Sequence, residues 1–155
     1  MSLYLLYKLL HILSSVALVG VGAGSAFYLF FTLRTCNVNA IAAVSRLVVI
    51  ADWCFTTPAI ILQPLTGYLL MRTLGYNFAT PWIQWTLILY ALAAICWLPV
   101  VWLQIRLRDM ALSAQQEEAA LPPLFWRYAR YWELLGYPAF IAMAVIYYLM
   151  VFKPT

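Results

Sequence analysis

Few side chains in this 155-residue chain can do chemistry, and most of them recur at helical spacing. Asp52, Thr56, Ala59, Gln63 and Thr66 follow steps of four, three, four and three, which places them on one helical face. His11, the only histidine, shares a face with Ser15, Leu18, Gly22 and Ser25. Thr86, Tyr90, Trp97, Gln104 and Arg108 form a third stripe, and Glu133, Tyr137, Phe140, Ala144 and Tyr147 a fourth. Neutral imidazole is a common ligand of haem iron, so His11 is a candidate haem ligand. The other use of the ring is a hydrogen bond to Gln63, Ser15 or a tyrosine. Gln63 stands before Pro64. Its amide could hold a quinone or porphyrin substituent, or satisfy backbone groups that the proline loosens.

These stripes belong to a membrane protein. Hydrophobic residues make up 66% of the chain and charged ones 9%, with a mean hydropathy of +0.90. A soluble domain carries about 25% charged residues, so too little polar side chain exists to cover a water-facing surface. The net charge of +4 comes from basic residues standing singly or in pairs at the ends of apolar runs. That is the pattern of topology signals, not of a nucleic-acid patch. Cys36, Cys54 and Cys96 form no CxxC motif and read as packing residues. The first apolar run, Leu3 to about Leu33, is longer than the roughly 7–15 residues of a signal-peptide core, so it reads as a retained span.

Four runs reach the length of about 20 apolar residues that a membrane helix needs. They predict spans at about 3–33, 47–71, 82–107 and 128–152 and an all-α four-helix bundle as a single domain. Arg34, Arg46, Arg106, Arg108, Arg127 and Arg130 gather at the first and third connections, against Lys8, Arg72 and Lys153 on the other side. The positive-inside rule then puts both termini on the outer, periplasmic side. The polar stretch Ser113–Ala120 reads as an extension of the third helix, ended by Pro122-Pro123. Gly20, Gly22 and Gly24 thin the first helix and predict a close helix contact there.

Depth divides the candidates. Asp52, Arg106, Arg108, Asp109 and Glu133 fall toward the cytoplasmic face. Asp52 is expected near Arg106 or Arg108, and Glu133 near Arg130. This layer either pairs internally or holds an anionic group such as a propionate or lipid headgroup. His11, Gln63, Thr66, Tyr90, Met143 and Tyr147 share the outer half. There Met143 is a possible second axial ligand and the others could shape a pocket. Too few ligands lie at this depth for a zinc or di-iron site. The chain also lacks a phosphate loop and a nucleophile motif.

Several segments carry a resemblance to a known family: Lys8-Leu-Leu-His11, Ala51–Pro58 leading to Gln63–Gly67, Cys96–Asp109 and Leu135–Phe140. Over nearly its whole length the chain resembles the small bacterial integral membrane proteins of domain-of-unknown-function family 2269. It is also similar, more weakly, to the four-helix membrane protoporphyrinogen oxidases of the HemJ type, which bind b-type haem. That similarity implies His11 as a haem ligand. Those oxidases carry a lysine on the third helix and further histidines, whereas Gln84–Leu89 holds no lysine here. The resemblance therefore implies haem binding more than protoporphyrinogen oxidation. The resulting expectation is a bacterial inner-membrane redox protein with haem b on His11, exchanging electrons with quinone, porphyrin or a partner. The chain is expected to form a homo-oligomer or to be a subunit of a membrane complex, and the alternative functions are a structural or assembly subunit of such a complex and a small carrier or channel.

Overall fold

The computed structural model describes residues 2–154. Among them the chain is all-helical: α1 spans Leu3–Leu33, α2 Val38–Thr73, α3 Pro81–Gln116 and α4 Pro123–Phe152. All four are long and apolar enough to cross a membrane. With 36 residues each, α2 and α3 reach about 54 Å at 1.5 Å per residue, well past a hydrocarbon core of about 30 Å.

The surplus length lies largely at the end formed by the first and third connections. There α2 starts at Val38, earlier than the sequence predicts, because the Asn37 side chain caps it by accepting from the Ala40 amide at 3.0 Å. The proline pair starts α4 and does not end α3. Pro123 occupies the first helical turn, where its missing N–H costs nothing. What ends α3 is Glu118, in the left-handed conformation at φ 50°, with the Ala119 amide returning to the Ala114 carbonyl at 2.9 Å.

α1 and α2 form an antiparallel pair along their full length. The first half of α2 also packs on α3, and α3 packs extensively on α4. α4 returns to α1 only sparsely. The tightest core sits at the end of the first and third connections, where Leu29, Ile41, Leu107 and Phe125 are fully buried.

Two irregularities shape the middle of the bundle. α1 makes a π-helical turn at Ala17–Val21 and α2 another at Asp52–Thr56, and the two turns touch. Pro58, just past the second turn, has no amide to offer the Cys54 carbonyl, which favours a locally rearranged ladder.

Two expectations about helix faces need correction. A Cβ placed on Gly20, Gly22 or Gly24 would meet nothing within 4 Å, so these glycines do not mediate a close contact in the chain. Similarly, the stripe of Tyr137, Phe140, Ala144 and Tyr147 on α4 is exposed. α4 packs instead through Trp132, Ala142, Ile146 and Leu149, which are small or purely apolar apart from the tryptophan. Lipid is as apolar as these side chains, so shape rather than polarity chooses the packed face.

Candidate functional site

The candidate residues fall into two layers, on either side of the π turns. The first layer lies between the N-terminal half of α1 and the C-terminal half of α2. His11 Nδ1 and Thr66 Oγ1 are 2.9 Å apart. The Thr66 hydroxyl donates to the Leu62 carbonyl at 2.7 Å, so it accepts from Nδ1–H. In the neutral ring this selects the Nδ1–H tautomer, with Nε2 as the free acceptor. Gly67 makes this fit possible, since a Cβ there would stand 3.3 Å from His11 Cε1.

One turn along, the buried Ser14 hydroxyl donates to Gln63 Oε1. The Gln63 amide therefore serves the α1–α2 seam. Sequence reasoning missed Ser14 because it put Ser15 on the stripe, although Ser14 stands three residues from His11 and both serines are buried. Pro64 leaves the Ile60 carbonyl without a helical amide. Tyr90 on α3 supplies the missing donor, its hydroxyl reaching Ile60 O at 2.6 Å. Tyr147 donates from α4 to the Ser15 carbonyl at 3.3 Å. His11, Gln63, Thr66, Tyr90 and Tyr147 are thus brought together, and each makes a hydrogen bond within the protein.

Open space lies in the second layer. A cavity of about 440 Å³ begins at the π turns and runs toward the first and third connections. It exists because facing positions are small: Gly22, Ala23 and Ala26 on α1, Ala93 and Ala94 on α3, and Gly136 and Ala139 on α4. Trp97, Trp132, Tyr90 and Met143 complete the wall, and the exposed rings of Phe27, Phe31, Tyr137 and Phe140 form its rim. The sparse α1–α4 seam is its opening.

Asp52 and Gln104 line this cavity at 4% and 6% exposure. The Thr56 hydroxyl donates to Asp52 Oδ1 at 3.0 Å. The Gln104 side chain stands beside the carboxyl within reach of a hydrogen bond, and Asp52 Oδ2 and Gln104 Oε1 are both buried without partners. Burying a polar oxygen without a partner costs about 1–3 kcal/mol, so two adjacent ones need an explanation.

The expected charge layer does not form as one unit. Asp52 has no arginine. Arg108 pairs with its neighbour Asp109 at 2.7 Å, and Arg106 lies over the Trp102 ring at 5.5 Å. Glu133 faces Arg34 at 3.6 Å, not Arg130, and accepts from the Tyr137 hydroxyl at 2.8 Å. The register of α2 against α3 sets Asp52 beside Gln104, short of the arginines.

No group of three or more His, Cys, Asp and Glu side chains that could hold a metal occurs among the described residues. Of the two side chains proposed as axial ligands, Met143 lines the cavity and His11 does not.

No curated protein and no solved structure matches the chain. The family model described as "Predicted integral membrane protein (DUF2269)" matches residues 5–154. The apolar four-helix architecture agrees with that description, and the chain belongs to this family of integral membrane proteins.

Proposed function

We propose that the protein is a multi-pass component of the bacterial inner membrane that binds a small apolar molecule within its bundle. The arginines at the first and third connections support both termini on the outer side, and on that reading the cavity opens through the α1–α4 seam in the half nearer the cytoplasm. One observation carries the reading: a 440 Å³ space walled by aromatic and small side chains contains two buried polar groups with unpartnered oxygens. Cavities of about 300–1,000 Å³ with few polar groups are typical of small-molecule sites. The seam admits a ligand that partitions into lipid.

The test is to purify the protein from native membranes and identify small molecules that co-purify, by solvent extraction and mass spectrometry. A compound retained in stoichiometric amount, and lost from a cavity-filled Gly136→Leu variant, supports the reading. Equal extracts from the two proteins sink it.

A specific observation favours a second reading, haem b on His11 with electron exchange to quinone, porphyrin or a partner. The Thr66 hydroxyl orients the ring as second-shell acceptors orient metal-bound histidines. The neighbouring side chains do not fit a haem enclosed by one chain, because Gln63, Thr66, Tyr90 and Tyr147 are all committed to helix–helix bonds. Under this reading the group lies at an interface with a second copy or a partner subunit. A Soret band that disappears in His11→Ala supports it. A colourless preparation from haem-replete cells counts against it.

A further inference from the structure

We propose that the molecule bound in the cavity is an apolar amine in its ammonium form, its N–H groups taken by Asp52 Oδ2 and Gln104 Oε1. This assignment rests on the cavity being a binding site.

Charge gives the first argument. The ionisable side chains Asp52 and Glu133 line the space, and no lysine, arginine or histidine does. Glu133 has Arg34 and Tyr137, whereas Asp52 has neutral neighbours, the Thr56 hydroxyl and the Gln104 amide. A carboxylate in low dielectric stays ionised only beside a positive partner, and otherwise takes up a proton. The nearby arginines are engaged elsewhere, Arg108 on Asp109 and Arg106 over Trp102. An anionic ligand would meet two acids, with Arg34 at the edge already paired to one of them.

Hydrogen bonding gives the second. With Asp52 ionised both unpartnered atoms are acceptors, and they come from adjacent helices. An ammonium offers several donors from one atom and can serve both. An alcohol offers one donor and leaves the carboxylate charge in place. The third argument is the wall: Tyr90, Trp97 and Trp132 present the aromatic surfaces that attract cations, and the alanines and glycines make room for a hydrocarbon body.

The test uses the full chain in detergent at neutral pH, with octylamine as probe and octanol, octanoate and octyltrimethylammonium as matched controls. Binding is read from the emission of Trp97 and Trp132 and from the thermal midpoint. Octylamine is expected to saturate both signals. Octanol and octyltrimethylammonium, which lack either the charge or the N–H donors, should bind about ten- to a hundredfold more weakly. Octanoate should not bind. Asp52→Asn should lower octylamine affinity by a similar factor, and Gln104→Leu by less. Glu117→Gln, exposed just past the end of α3 and outside the cavity, should change nothing. Asp52→Asn keeps the size and shape of the side chain and is expected to fold.

Equal binding of octylamine and octanol, both unchanged by Asp52→Asn but abolished by Gly136→Leu, overturns the ammonium assignment and leaves the cavity as a site. Failure of every probe to saturate, with Gly136→Leu indistinguishable from the parent, overturns both.

Discussion

The Tyr90 hydroxyl donates to the Ile60 carbonyl oxygen at 2.6 Å, in place of the amide that Pro64 lacks. The donor comes from α3 and the break lies in α2, so a local defect becomes an interhelical tie. Tyr90→Phe should therefore cost about 0.5–2 kcal/mol, the range for buried and intramembrane hydrogen bonds. In a Pro64→Ala background the carbonyl regains its own amide, and the cost of Tyr90→Phe should shrink. Unfolding in mixed micelles measures both. Equal costs in the two backgrounds would show that the proline has no part in it.

The His11 ring and Gly67 should be coupled in the same way. Gly67→Ala brings a methyl to 3.3 Å from Cε1, and overpacking of this kind costs about 1–3 kcal/mol. His11→Ala in the same chain should relieve most of that cost. A double-mutant cycle with no interaction energy would refute the contact.

Gly22→Ala and Gly136→Ala should do the opposite. Added Cβ atoms there meet nothing within 4 Å, so alanine's helix propensity should stabilise each by about 0.8–1 kcal/mol. Thermal midpoints of the three glycine variants should thus split in sign. A loss at Gly136 would mean that α4 sits closer to α1 than described.

Arg34→Gln should change stability little. The pair with Glu133 is 3.6 Å long and its side chains are 51% and 32% exposed, and such pairs contribute about 0.2–1 kcal/mol. Asp52→Lys should prevent folding, because it adds length and leaves a charge buried among apolar walls. Expression and detergent-stable yield of the two variants give the comparison.

Hydropathy made the four spans legible, and spacing made the buried face of α2 legible: Asp52, Thr56, Ala59 and Thr66 are all buried. Polar groups inside lipid must find partners, so their periodicity reports a seam directly. The stripe on α4 misled for the complementary reason. Its Tyr137 and Phe140 rings can face lipid at little cost, so their spacing says little about packing, and of its tyrosines Tyr147 alone bonds to another helix. The partner of Asp52 was also out of reach. Whether it meets Arg106, Arg108 or Gln104 depends on a shift of α2 against α3 by a turn or less, which interlocking side chains fix. The cavity was equally hidden, since it arises from small residues on three helices whose facing is known only after folding.

The layer of His11–Thr66, Ser14–Gln63, Tyr90–Ile60 and Tyr147–Ser15 bonds crosses all four helices on one side of the π turns. Its consequence is one-sidedness. The bonded layer stands between the cavity and the far leaflet, so on the proposed reading a guest of Asp52 enters and leaves by the same door, through the half of the bundle nearer the first and third connections.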